Sequence, residues 1–218
     1  MIPVSAPARV AARLRSADDG PVPLVHRGPD AVYLDVRGSC VGVVGTRATA
    51  VPCALRTALD VLPDVARAAV HGGVLHLDDE PLAVGRVVDV VAPRIKVSGG
   101  AGRIDAADLV GRGDGLTPYG DDVLCGWLAV HRAAGVATPE VDATVRALAP
   151  TTTLLSATLL DCAMHGEVIP EFAAWLAALG TDDEEPRAVV LARVGHTSGR
   201  GLLEGARRAL ADLERVAA

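Results

Sequence analysis

Two adjacent carboxylates, Asp121 and Asp122, follow a loop that reads Gly111-Arg-Gly-Asp-Gly-Leu-Thr-Pro-Tyr-Gly120. Thr117 before Pro118 is a helix-start signal, because a Thr hydroxyl can cap free backbone N–H groups and Pro is tolerated at the first helical position. A second register starts the helix at Asp121, after a turn at Pro118-Tyr119-Gly120. In both registers a glycine-rich loop runs into a helix amino terminus, where unpaired N–H groups and the helix dipole favour an anion. Gly113, Gly115, Thr117, Tyr119 and Gly120 are therefore candidate ligand contacts, although the loop lacks the Lys of a phosphate-binding P-loop. Two carboxylates beside an anion repel it unless a cation lies between them. Adjacent helical positions are about 100° apart, so one of Asp121 and Asp122 is expected to face the site and the other to stabilise the helix end. Three roles are open to the inward one: holding a hydrated Mg²⁺, accepting hydrogen bonds from an amide or ammonium group, or acting as a general base. The plainer reading is a helix start with two first-turn acids and glycines that permit tight packing.

The same logic recurs at Gly195-His196-Thr197-Ser198-Gly199, where hydroxyls and glycine precede a helix with Leu202, Leu203, Ala206, Leu210 and Leu213 on its apolar side. His196 is a candidate proton or hydrogen-bond donor to a bound oxyanion, set against the commoner solvated loop histidine. A third hydroxyl cluster, Thr151-Thr152-Thr153, opens a helix that is apolar almost all round and is expected to be central and buried. Its Ser156, Thr158 and Asp161 then need partners inside the protein. Thr152, Thr153, Ser156, Thr197, Ser198 and Gly199 join the candidate binding set, with Asp121, Asp122 and His196 as candidate catalytic groups. Asp161 and His165 have the spacing of two metal ligands on one helix face, but no third ligand follows, and His165 before Gly166 reads more simply as a cation at a helix carboxy terminus. His71 and His76 are five apart in strand-like sequence and are expected on opposite faces. There is no GxSxG elbow.

A net charge of −6 and a single lysine, Lys96, argue against a nucleic-acid surface. Cys40, Cys53, Cys125 and Cys162 form no CxxC pair and sit among apolar neighbours, as buried thiols of a cytoplasmic protein do. The Arg-broken first helix is no signal-peptide core, and no apolar run approaches the roughly eighteen residues of a membrane span. With one Phe, two Tyr and two Trp in 218 residues, Val, Leu and Ala must fill the core, so backbones are expected to approach closely.

The elements that position these residues divide near Ser98-Gly-Gly-Ala-Gly102, where strand periodicity stops. Residues 1–100 read as a β-rich domain with an amino-terminal helix over Pro7–Ala17. An antiparallel meander follows between Val22 and Gly45, then a helix over Pro52–Leu62, then strands near Ala69–His71, Val74–Leu77 and Arg86–Val91. Residues 101–218 read as all-helical, with helices near 105–110, 121–134, 139–148, 152–164, 170–179, 186–193 and 199–216. The fold class is α+β: an antiparallel β-rich amino-terminal domain followed by an all-helical carboxy-terminal domain that carries the motifs.

Gly115-Leu-Thr-Pro-Tyr-Gly-Asp-Asp-Val-Leu-Cys-Gly126 resembles the Gly-Leu-Thr-Pro-Ser-Gly-Asp-Asp-x-Leu-x-Gly signature of the family that includes the AllH-type subunit of oxamate carbamoyltransferase. Thr152-Thr-x-Leu-Ser156 and Gly195-His-Thr-Ser-Gly199, followed by Leu203-x-Gly205, resemble its two later motifs. The likeness covers about the last 115 residues. It implies a transferase subunit of anaerobic allantoin breakdown, acting with partner subunits on oxalurate, phosphate, carbamoyl phosphate and oxamate. Tyr119 stands where the signature has a small Ser, Asp114 where a neutral residue is common, and Arg200 where an acidic or aromatic one is often found. The expected ligand is a small anionic metabolite, held where the helix starts at Thr117, Thr152 and Thr197 converge. An oligomer is compatible with this, and Mg²⁺ at Asp121 and Asp122 is the one cofactor the residues suggest. The competing function is a non-catalytic small-molecule-binding or assembly subunit whose glycines serve close helix packing.

Overall fold

The computed structural model describes residues 1–97 and 99–216; Ser98, at the head of the expected glycine boundary, lies outside the described residues. The chain forms two compact units, Met1–Val90 and Val91–Ala218.

The first unit holds β1 (Ile2–Pro7), α1 (Ala8–Ser16), β2 (Gly20–Val22), β3 (Leu24–Arg27), β4 (Ala31–Asp35), β5 (Cys40–Val44), β6 (Ala54–Thr57), β7 (Ala68–His71), β8 (Val74–Leu77) and β9 (Glu80–Val88). These nine strands make one sheet in the order β2-β7-β8-β9-β1-β6-β5-β4-β3. The two end strands, β2 and β3, are separated in sequence by Pro23 alone, so the edges of the sheet are drawn together and it is nearly closed. Val10 and Leu14 of α1 are buried with the strand residues Leu34, Val43, Leu55 and Leu75 in an aliphatic core.

Three expectations change in this unit. The sheet is not wholly antiparallel: β1 pairs with β9 in parallel from Ile2–Leu82 to Pro7–Val88, and β5 pairs with β6 in parallel. The expected helix over Pro52–Leu62 is instead the strand β6 with turns around it. Its Leu55, Leu59 and Leu62 have helical spacing, yet Leu55 is buried and Leu59 exposed, and the backbone of β6 completes the ladders of both β1 and β5. Finally, His71 and His76 do not face opposite sides. They lie on neighbouring strands of the β7–β8 hairpin, with ring centroids 5.2 Å apart, because the turn at Gly72-Gly73 falls between them.

The second unit holds α2 (Ala106–Leu109), α3 (Tyr119–Ala133), α4 (Pro139–Leu148), a 3-10 turn (Ala149–Thr151), α5 (Leu154–Met164), α6 (Pro170–Ala177), α7 (Glu184–Ala192) and α8 (Ser198–Val216). The helix buried on nearly every face is α3, and it takes the central place expected of α5, whose Leu154, Ala157 and Leu159 stay half-exposed. Trp127 and Leu128 of α3 are completely enclosed. His131, one turn on, stacks on Trp127 with ring centroids 3.8 Å apart, and its Nδ1 lies 2.8 Å from the Trp127 carbonyl while Nε2 accepts from the Gly102 N–H. That pattern needs a neutral ring with its proton on Nδ1, and burial lowers the pKa of His131 accordingly.

Glycines set the spacing of α3 and α8. A Cβ on Gly126 would run into the carbonyl of Leu202, one on Gly205 into the carbonyl of Val123, and one on Gly201 would lie 2.8 Å from Cβ of Asp122. Backbones this close bring the first turns of α3 and α8, and hence two of the three motifs, side by side. Arg132 fastens α3 to its neighbours: its guanidinium donates to both oxygens of Asp142 at 2.6 Å, to Thr138 Oγ1 and to the carbonyls of Val136 and Met164.

Candidate functional site

The helix α3 starts at Tyr119 with Pro118 as its cap, in neither of the two registers expected. No side chain caps it. The Gly120 N–H donates to the Arg112 carbonyl at 2.8 Å, and those of Asp121 and Asp122 to the Pro118 carbonyl. These three donors, expected to face an anion, are thus taken up within the segment itself. Gly111, Gly113 and Gly115 all have positive φ, the left-handed backbone this loop needs in order to fold back over α3. Gly120 sits against the carbonyl of Leu109, where no side chain fits.

The two carboxylates have separate tasks. Asp121 is 1% exposed and looks toward the second motif. One oxygen accepts the Gly111 N–H at 2.8 Å; the other accepts the hydroxyls of Thr152 at 2.5 Å and Ser156 at 2.7 Å. Both acids lie in the first turn of α3, and Asp121 in addition ties the loop, α3 and the start of α5 together. Thr153, not Thr152, caps α5, accepting from the Ser156 N–H at 3.0 Å while its hydroxyl donates to the Leu116 carbonyl. The polar groups of α5 are accounted for: Thr158 donates to the Leu154 carbonyl, and His165 caps the carboxy-terminal end with Nδ1 2.7 Å from the Asp161 carbonyl.

Asp122 turns the other way, toward the third motif. It is 4% exposed, and its Oδ2 is buried without a hydrogen-bond partner. Facing it are the hydroxyls of Ser198 and Thr117, which stand 2.9 Å apart and are hydrogen-bonded to each other. Burial pushes the Asp122 carboxyl up to about 7; the two hydroxyls hold it down, and the charge of Asp121 adds to the rise. A carboxyl with that pKa takes up and gives back a proton near neutrality, the property of a general acid or base, and its free oxygen can accept an N–H or O–H donor.

This has a measurable consequence. The folded-state pKa of Asp122 lies above its ordinary value of 3.8, so its contribution to stability is complete below about pH 4 and is lost as pH rises to about 7. The separation between 3.8 and about 7 corresponds to on the order of 4 kcal/mol. Asp122→Asn removes that loss: its unfolding free energy is expected to exceed that of the wild type by a margin that grows between pH 4 and pH 7 and is constant above. Chemical denaturation across that range checks it, and a variant less stable than the wild type at pH 8 contradicts it.

Tyr119 is engaged elsewhere. Its hydroxyl donates to Glu204 of α8 at 2.5 Å, which together with burial pushes its pKa up to about 12, and Glu204 is paired in turn with Arg208. Ser198 is the first residue of α8; Gly199 is packed against the Leu191 carbonyl; the Thr197 carbonyl accepts the Gly201 N–H. His196 is exposed in the turn before α8. The structure therefore brings together Thr117, Asp122 and Ser198 in one cluster, and Asp121, Thr152 and Ser156 in another on a different face of the α3 start. It leaves His196 at the surface beside the first cluster in sequence. Glu204, Gly201 and Gly205 of α8 are partners of α3 that the sequence does not single out; their one sign is the Leu203-x-Gly205 pair, whose meaning depends on which helix lies opposite. Among the described residues no three His, Cys, Asp or Glu side chains are placed to hold a metal ion, and no helix is long and apolar enough to cross a membrane.

The chain matches no curated protein and no solved structure. Across residues 109–210, from the end of α2 into α8 and including all three motifs, it matches the family model of the oxamate carbamoyltransferase subunit AllH.

Proposed function

We propose that the chain is a subunit of a carbamoyltransferase-like enzyme of nitrogen and purine (allantoin) catabolism, working in the cytoplasm with partner subunits. It binds a small anionic metabolite, such as carbamoyl phosphate or oxamate, where α3 and α8 begin. The observation that carries this reading is the meeting of the three motifs at one place: Asp121 holds Thr152 and Ser156, and Thr117 holds Ser198 beside the buried Asp122 carboxyl, one oxygen of which lacks a partner. The matched family supplies the reaction class and the multi-subunit setting. Thr197 and His196, just before α8, offer hydroxyl, imidazole and helix-dipole interactions to the anionic end.

A second reading has its own support. Gly126, Gly201 and Gly205 serve close packing of α3 and α8, so part of the motifs' glycine content answers to architecture, as an assembly subunit requires. The discriminating experiment is an assay of phosphate release from carbamoyl phosphate plus oxamate. It uses the full chain copurified with the products of its genomic neighbours. Turnover that disappears when this chain is omitted, and falls about a hundredfold or more with Asp122→Leu, is expected if the chain carries part of the active site. Turnover indifferent to Asp122→Leu supports the assembly role, and no turnover in any preparation overturns the transferase reading.

A further inference from the structure

The cluster of Thr117, Asp122 and Ser198 is short of hydrogen-bond donors. Two hydroxyl protons are available, and one lies in the Thr117–Ser198 bond, which leaves a single proton for a carboxylate able to accept about four hydrogen bonds. Oδ2 of Asp122 has no partner and the side chain is 4% exposed, so water does not relieve the deficit in the way it does at a surface. The groups that act on Asp122 are burial, the two hydroxyls and the negative Asp121; no positive charge is among them. A buried carboxyl pair with no cation repels an anionic group. What this centre lacks, and what it attracts, is a donor.

We propose that Asp122 is the specificity-determining residue that reads an N–H donor on the ligand, so that the ligand joins an amide-type nitrogen to its anionic group and presents the nitrogen to Oδ2. This rests on the transferase reading and deepens it by assigning the two ends of the ligand. The nitrogen lies at Asp122, between the first turns of α3 and α8, and the anionic end lies away from both aspartates. The arrangement also explains why a group that costs stability is kept at a buried position: a carboxyl oxygen without a donor is unfavourable in the free protein and is satisfied on binding.

The test compares carbamoyl phosphate with acetyl phosphate, which has a methyl group where the former has NH₂, by calorimetric titration into the full chain and its Asp122→Asn and Asp122→Leu variants. The wild type is expected to prefer carbamoyl phosphate by about tenfold or more, the effect of one hydrogen bond to a charged group. In Asp122→Leu the preference vanishes while acetyl phosphate still binds; Asp122→Asn, which keeps one acceptor oxygen, retains part of it. Full discrimination in Asp122→Leu overturns the proposal, as does loss of acetyl phosphate binding along with the preference, which marks a structural role. Stabilisation of the wild type but not of Asp122→Leu by Mg²⁺ alone also overturns it, since the missing partner is then a cation. Equal binding of both compounds by the wild type removes the N–H assignment and leaves the transferase reading standing. Binding of neither removes both.

Discussion

Asp121→Ala is expected to destabilise the protein by about 3–5 kcal/mol, the range seen when a buried, hydrogen-bonded charge is removed from its partners. Three donors converge on this one carboxylate: the Gly111 N–H, the Thr152 hydroxyl and the Ser156 hydroxyl. Removing it leaves all three facing a void in a region that is 1% exposed at Asp121 itself. Asp121→Asn is no cure, because its amide nitrogen must point at one of the same donors. The loss of Asp121 leaves the loop tied to the start of α5 through the Thr153 hydroxyl and the Leu116 carbonyl alone, so the proposed ligand site is expected to weaken as well. Denaturant unfolding of the variants measures the first effect. The prediction distinguishes the adjacent acids sharply, since Asp122→Asn is expected to shift stability in the opposite direction.

Gly205→Ala is the second large effect, and here the sign is the informative part. In an exposed helix interior, Gly to Ala stabilises by about 1 kcal/mol through helix propensity. At position 205 the added Cβ lies 2.7 Å from the carbonyl carbon of Val123 and 3.0 Å from the Trp127 amide nitrogen, both backbone atoms of α3 that cannot rotate aside. The helices must separate, which also strips contacts from the enclosed Trp127 and Leu128. Overpacking of this kind costs about 1–3 kcal/mol or more, so the propensity gain is outweighed. A net loss of about 2 kcal/mol or more is expected, with larger losses for Gly205→Val. Unchanged or raised stability in Gly205→Ala contradicts the close crossing of α3 and α8.

What the sequence made legible follows from which forces are local. Helices with strong boundary residues, such as Pro139–Leu148 behind its Pro and Pro170–Ala177 behind its own, fall where expected because capping and periodicity are written within a dozen residues. The strand β1 was hidden: Pro3 and Pro7 remove ladder donors, and a register shift between Val4 and Ser5 accommodates the segment between β6 and β9. Strand β6 was misread because Leu55, Leu59 and Leu62 mimic a helix face, and its true determinant, two neighbouring strands in need of a partner, is not local.

The site shows the same division. Residue types were legible: hydroxyls, glycines and paired acids at three motifs. Their directions were not. That Asp121 meets Thr152 and Ser156 while Asp122 meets Thr117 and Ser198 depends on α5 and α8 packing on different faces of α3, and no spacing within the first motif contains that fact. The glycines looked like an anion cradle because flexibility and small size have the same spelling. Gly111, Gly113 and Gly115 are used for left-handed turns, whereas Gly120, Gly126 and Gly205 are used for close approach of backbones.

The proposed ligand-binding place is the meeting of the three motifs around the starts of α3 and α8. Amide hydrogen exchange of the full chain, with and without carbamoyl phosphate, tests it most directly. Added protection is expected in residues 111–124 and 195–203, with a smaller effect over 151–157 transmitted through Asp121, and none over β1–β9. Protection that falls instead in the amino-terminal sheet, or along α4 and α6 without the motif segments, contradicts it.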